Sequence, residues 1–424
     1  MIRIYHARIL TMEEGKDIFD GEIWISGTKI VYTGPDKKEE AAKITWERQI
    51  DAKGNLVMPG FKNAHTHSAM TFLRSMADDL PLQEWLNEQV FPNEAKLKGE
   101  EAYIFAKIAI MEYLTSGITS AFDMYIYPKE VIQACVDCGF RIVQVSGLNN
   151  FTSSLEELEE QYVTYNDYHE LCSYKLGFHA EYTTDKKLLE GLAGLSEKYH
   201  APVYTHNSET KREVEECRQR YGKSPTQLFE EMGLYRYGGG GYHCIWFDDE
   251  DIDIFAKRNL SVVTNPASNL KLASGIAPLK KMQEAGINLA IGTDGPASNN
   301  CLDMFREMFL VTGLAKLREH DAAVMDANDV LYMATTGGAK AMGLSDCDCL
   351  AVGKKADLFL MDLMQPNMQP EHNLTKNLVY SGSKQNVKLT MVNGKILYED
   401  GQFFISEEPQ EIYKKANEIV SRMK

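Results

Sequence analysis

Positive charge is in short supply in this chain. It carries 45 Lys and Arg against 61 Asp and Glu, a formal net charge of −16 over 424 residues. A surplus of that sign repels phosphate backbones and anionic bilayers, so neither a nucleic-acid partner nor a membrane-surface partner is expected. Long apolar runs are missing as well. None approaches the roughly 18 residues that span a bilayer, and Met1-Ile2-Arg3-Ile4-Tyr5-His6 lacks the apolar core of a signal peptide. A cytoplasmic protein follows as the expectation. Cysteine is sparse, eight in all, which is too few for a disulfide scaffold and points to reduced thiols. Cys135-Val136-Asp137-Cys138 has C-x-x-C spacing, but it falls late in a helical stretch with no second pair to complete a structural metal site. A plain helix face is the simpler reading.

What the chain does have is length and alternation. It is long enough for one large α/β barrel with an accessory domain, or for two to three ordinary domains. Residues 1–57 alternate apolar and polar positions in short runs between Gly-containing turns, as in Glu22-Ile23-Trp24-Ile25-Ser26. The pattern returns near the C-terminus, where 386–392 runs into an Asn393-Gly394 hairpin turn, before a charged amphipathic helix over about 407–424. The expected division is an accessory β-domain from 1–57 and 347–424, flanking 58–346. Inside that middle segment, strand-like runs at 58–67, 118–125, 140–148, 174–182, 202–207, 241–246, 260–265 and 288–294 alternate with helical stretches such as 100–116, 185–199 and 326–342. Eight β/α units predict a TIM-type (β/α)8 barrel with its active site at the C-terminal ends of the strands. The stretch 68–99 is long for a βα loop, carries Trp85 and Glu94, and reads as a lid over the mouth.

Met58-Pro59-Gly60-Phe61-Lys62-Asn63-Ala64-His65-Thr66-His67 ends an apolar run on two histidines spaced i, i+2. On a strand such residues share a face, and imidazole is the commonest protein ligand for zinc-like ions. Alone, the pair is a weak signal, since two histidines in a strand-end loop are more often unliganded. Later strand ends add candidates in order: His179, His206, His243, and Asp294 within Ile291-Gly292-Thr293-Asp294-Gly295. Gly238–Gly241 has no following G-K-[ST] and reads as a turn before a strand.

These residues resemble a known family. The H-x-H after Pro-Gly, His206-Asn207-Ser208-Glu209-Thr210, His243-Cys244, the N-P-A-S-N-L-K-L run at 265–272 and the G-T-D-G-P-A-S-N-N run at 292–300 are similar to the amidohydrolase superfamily. The likeness is to its branch of 5′-methylthioadenosine/S-adenosylhomocysteine deaminases and chlorohydrolases. It implies a distorted barrel with a sandwich built from both termini, and one divalent metal, zinc first and iron or manganese as alternatives. It implies His65, His67, His206 and Asp294 as metal ligands, with a metal-activated water attacking an amine-bearing ring carbon and releasing ammonia. Glu209 would shuttle protons and His243 would orient the water and stabilise developing charge. Glu94 and His179 align with positions that hold ribose hydroxyls and purine, and Trp85 reads as either a pocket wall or packing.

The expected partner is a small aminated purine-type molecule of the 5′-methylthioadenosine, adenosine or S-adenosylhomocysteine class; homo-oligomerisation is left open. There is no Arg between Arg141 and Arg212, and Ser146 and Ser154 stand where a cationic clamp for the homocysteine carboxylate would be sought. That favours a smaller or neutral substrate. Alternatives are a guanine- or cytosine-type deaminase, a heterocycle chlorohydrolase sharing the metal site, and a non-catalytic binding barrel, which would be expected to have lost a ligand or the acid/base. His179-Ala180-Glu181 matches the opening of the cytidine-deaminase signature, but its P-C-x-x-C is missing.

Overall fold

The computed structural model describes residues 1–76 and 78–423. Eight parallel strands form one sheet in chain order: β1 (Phe61–Thr66), β2 (Ile118–Met124), β3 (Arg141–Val145), β4 (Cys172–Gly177), β5 (Val203–Asn207), β6 (Gly239–His243), β7 (Ser261–Thr264) and β8 (Asn288–Ile291). No ladder joins the first to the last. Instead the Asp294 amide donates to the His65 carbonyl at 3.0 Å, and Asn63 and Thr293 exchange hydrogen bonds of 2.7 and 2.8 Å. The sheet is thereby curled into a nearly closed barrel. Ala64, Phe122, Val143, Tyr204, Tyr242 and Val263 fill its interior, while the outward faces of the strands pack into the larger core beneath the helices. Burial on both faces is why these strands read as continuous apolar runs rather than alternating ones.

The termini build a separate nine-stranded mixed sheet. Leu56–Pro59 runs antiparallel to Leu358–Met361 and so ties the first segment of the chain to the last. Ile4, Ile23, Val57, Leu358, Leu389 and Met391 give this sheet its own apolar core. The C-terminal helix Pro409–Met423 buries Ile412 and Ala416. No helix among the described residues is long and apolar enough to cross a membrane.

Several expectations are corrected. The run 58–67 is two strands, because Leu56–Pro59 pairs in the terminal sheet and Phe61–Thr66 in the barrel. Gly60 makes the crossing, and a Cβ there would lie 2.0 Å from Thr119 Cγ2. Gly239–Gly241 is no turn before a strand; it lies inside β6. A Cβ at Gly239 would meet the Val203 carbonyl at 1.9 Å and one at Gly240 the Ser261 carbonyl at 2.5 Å, so close approach of β5 and β7 requires glycine. His179 and Asp294 lie beyond their strand ends rather than on them. Helix 326–342 is broken at Thr335 into Ala327–Ala334 and Thr336–Met342. Within 68–99, Leu82–Glu94 is helical, with a π-turn over Trp85–Val90 in its middle, a feature frequent at functional sites.

Candidate active site

At the C-terminal mouth of the barrel, five imidazoles and two carboxylates meet. Ligand-type atoms of His65, His206 and His243 lie within 4.8 Å of one another, as do those of His65, His67 and Asp294. His65 is common to both groups. It is fully buried, stacks on Tyr242 at 3.8 Å, and neither of its ring nitrogens has a hydrogen-bond partner. Leaving a buried polar group unpaired costs about 1–3 kcal/mol. A donor set of imidazoles with one carboxylate removes that cost if it holds a borderline divalent cation such as zinc, so these residues fit the metal expected from the sequence.

The other rings are oriented from behind. His67 Nδ1 faces the Met124 carbonyl at 2.5 Å and His206 Nδ1 the His179 carbonyl at 2.7 Å. Each Nδ1–H therefore donates to a carbonyl, which leaves Nε2 for the centre. His243 Nδ1 pairs with Asn269 Oδ1 at 2.7 Å, and its Nε2 lies 3.8 Å from Glu209 Oε2. Asp294 Oδ2 accepts from Ser268 Oγ at 2.5 Å and Ser298 Oγ at 2.9 Å, and Oδ1 accepts from the Gly295 amide at 2.8 Å. Ser208, His243, Cys244 and Asp294 all have left-handed backbones, with φ of 51°, 70°, 51° and 57°. Non-glycine residues persist there only where surrounding contacts over-determine them, and such residues gather at functional sites.

Protonation follows from burial and neighbours. Burial first, and neighbouring rings second, hold His65 and His206 well below the ordinary imidazole range, which keeps both neutral. Burial also opposes charge on His67, but the hydrogen bond and charge of Asp294 lift it to about 9. Burial would raise Asp294, yet the bond and charge of His67 outweigh it and hold the carboxyl well below its usual range. Glu209 is pushed up by burial, and Glu94 is pushed up by burial to about 7 against the pull of His67 and the Tyr125 hydroxyl. His179 is lowered to about 4 by burial and then by His67.

A cavity of about 670 Å³ opens over this cluster. His67, His179, His206, Glu209, His243 and Asp294 line it, as do Trp85 and Glu94 from the helical stretch, and His65 lies behind them. The residues that the sequence offers as metal ligands, acid/base groups and substrate contacts are thus brought to one place. Trp85 both lines the cavity and packs in the main core. Thr183 Oγ1 donates to the Ala180 carbonyl at 3.1 Å and lies 2.9 Å from His179 Nδ1, so Nδ1–H donates to it and Nε2 remains an acceptor. Glu181 pairs instead with Arg220, away from the cluster, which removes the cytidine-deaminase alternative. Cys135 and Cys138 lie buried in helix Pro128–Cys138, with thiols pushed up by burial.

Sequence reasoning missed the supports. Glu213 accepts from the Ser208 and Glu209 amides at 3.0 and 2.8 Å and so fixes the loop after β5. Asn269, Ser268 and Ser298 stand within runs quoted above, but nothing in their spacing shows which ligand each one braces.

A model of the amidohydrolase family matches residues 56–397. The chain belongs to the amidohydrolase family. Among relatives, a 5-methylthioadenosine/S-adenosylhomocysteine deaminase of Thermoanaerobacter pseudethanolicus is 35% identical over 431 residues, covering 99% of each chain. A 5′-deoxyadenosine deaminase of Methanosarcina acetivorans is 37% identical over 432 residues, again with 99% of each covered. Among solved structures, an adenosine deaminase of Xanthomonas campestris with bound zinc superposes with a TM-score of 0.93 at 32% identity, covering 100% of this chain and 98% of that one. The amidohydrolase resemblance and the barrel with a terminal sheet are borne out, and as a member of this family the chain is a hydrolase acting on C–N bonds.

Proposed function

We propose that this amidohydrolase is a metal-dependent hydrolytic deaminase of an adenosine-type ring, taking substrates of the 5′-methylthioadenosine and 5′-deoxyadenosine kind. The observation that carries the reading is the juxtaposition, in one cavity, of His65 and its open-valence neighbours with Glu209 and His243. Full-length similarity to deaminases of that substrate class supports it.

In this proposal His65, His67, His206 and Asp294 hold one divalent ion, with zinc the first choice because zinc is bound in the similar solved structure. Such an ion, when bound, lowers the pKa of water at its open position and makes a nucleophile available near neutral pH. The remaining work falls to side chains. Glu209, whose carboxyl burial has pushed up, takes a proton from the attacking water and delivers protons to the ring nitrogen and the departing amine. His243, held by Asn269, presents Nε2 beside Glu209 and stabilises charge developing on oxygen. His179 Nε2 accepts from the ring, Glu94 accepts from ribose hydroxyls, and Trp85 closes one wall.

The test is ammonia release from the zinc-loaded protein with adenosine, 5′-methylthioadenosine, 5′-deoxyadenosine, guanine and cytosine. Turnover of the adenosine-type compounds is expected. Absence of ammonia from all three, with zinc bound, would sink the proposal.

A further inference from the structure

The lining of the cavity extends well beyond the cluster at its base, and the part contributed by residues 149–174, its outer arm, has a distinct chemistry. That arm is walled by Asn149, Thr152, Ser153, Glu157, Gln161 and Tyr174. No Lys or Arg lines the cavity among the described residues, whereas Glu94, Glu157, Glu209 and Asp294 do. The polar groups in the arm form a directed chain: the Tyr174 hydroxyl donates to Gln161 Oε1 at 2.6 Å, and Gln161 Nε2 donates to Glu157 Oε1 at 3.1 Å. The amide of Gln161 is thus aligned so that the chain ends on a carboxylate.

Two serines beside the arm are engaged by backbone groups. Ser146 Oγ donates to the Gly177 carbonyl and accepts the Gly177 amide at 3.0 Å, and Ser154 Oγ accepts the Glu157 amide at 3.1 Å as a helix cap. The positive end of helix Leu155–Asn166 is further answered by Glu156 and Glu157 in its first turn. An anionic group beside Glu157 would meet a like charge and find no cationic donor, whereas a neutral group meets no repulsion and an ammonium is attracted.

We propose that the outer arm, through Glu157 and the Gln161 amide it orients, selects against anionic substituents on the substrate, so that neutral and ammonium-bearing 5′-substituents are accepted while carboxylates and phosphates are rejected. This rests on the deaminase reading for the orientation of the ring at the base of the cavity.

The experiment compares kcat/KM for 5′-methylthioadenosine, 5′-amino-5′-deoxyadenosine, adenosine 5′-carboxylate and adenosine 5′-monophosphate on the zinc-loaded protein at low salt. The last two are expected to fall at least about 30-fold below the first two, the scale of a like-charge contact with no compensating cation. Glu157→Arg should raise the ratio of kcat/KM for the monophosphate to that for 5′-methylthioadenosine by about 10-fold or more. Monophosphate or 5′-carboxylate turned over within about threefold of 5′-methylthioadenosine would overturn the inference. So would a Glu157→Arg protein that is folded by circular dichroism yet shows no shift in preference. Calorimetric binding of the same four compounds to the zinc-loaded Glu209→Gln protein reads the charge preference without turnover. If ammonia is released from none but neutral compounds still bind more tightly than anionic ones, the deaminase reading fails and the charge selection stands.

Discussion

The barrel buries charge at both ends, and the two ends treat it differently. At the floor, Arg141 and Lys62 stand at the starts of β3 and β1. Arg141 grips Asp357 with Nε–Oδ2 of 2.6 Å and Nη2–Oδ1 of 3.0 Å, and Asp357 also accepts the Asn393 amide at 2.7 Å. Lys62 Nζ donates to the Gly60 carbonyl at 2.8 Å and to Thr119 Oγ1 at 3.1 Å. These donors and acceptors are answered by protein, and they join the barrel to the terminal sheet. At the mouth, by contrast, His65 is buried with both nitrogens unanswered, and Nε2 of His206 and of His243 is left over once Nδ1 has been tied. Burial with partners holds a fold together; burial with valences left open prepares for something that is not protein.

If that contrast is right, substitutions at the two ends should separate activity from stability. The largest effect is expected from His65→Ala, which should reduce bound zinc from about one ion per chain to near zero by elemental analysis, because metal affinity depends on a complete ligand set. Turnover should vanish with it, and retention of stoichiometric zinc would break the comparison at the mouth. Glu209→Gln should leave zinc content intact and lower kcat by roughly 10² to 10⁴-fold. Its thermal midpoint should be unchanged or raised, since a strained site is relieved without loss of a structural contact.

At the floor, Arg141→Met strands the Asp357 charge and should cost about 3–5 kcal/mol in denaturant unfolding, with kcat of the folded fraction unaltered. A smaller effect concerns pH. Burial would raise the Asp357 carboxyl, but the charge and hydrogen bonds of Arg141 hold it below its ordinary value. A group depressed in the folded state contributes stability above its unfolded pKa of about 3.9, and that contribution is lost as pH falls toward the folded value. Asp357→Asn should therefore flatten the acid side of a stability-against-pH curve measured by denaturant midpoint, and an unchanged acid limb would show that the pair is not the source. Smallest is Gly60→Ala, where the added Cβ meets Thr119. Overpacking of this kind costs about 1–3 kcal/mol, read as a lower denaturant midpoint with zinc content unchanged.

Much of the mouth is legible in the sequence. His65 and His67 share a face because a strand repeats every two residues, and His206, His243 and Asp294 follow at the ends of successive apolar runs, where a barrel must gather them. The floor was not legible, because Arg141 and Asp357 are 216 positions apart and no local pattern announces their pairing. The same limit explains the division of 58–67. Both halves of that run are apolar and buried, and only the neighbours each one meets, Leu358–Met361 on one side and β2 on the other, place Gly60 at a boundary.

The alternation that makes a barrel and the residue types available at its mouth are written along the chain, since both depend on periodicity and on side-chain chemistry carried locally. Tertiary structure alone decided which nitrogen of each histidine faces inward, that Ser146 and Ser154 are spent on backbone, and that Glu213 fixes the loop holding Glu209. Each of these depends on a hydrogen-bond partner brought close by folding, and a partner's distance in space is not written in its distance along the chain.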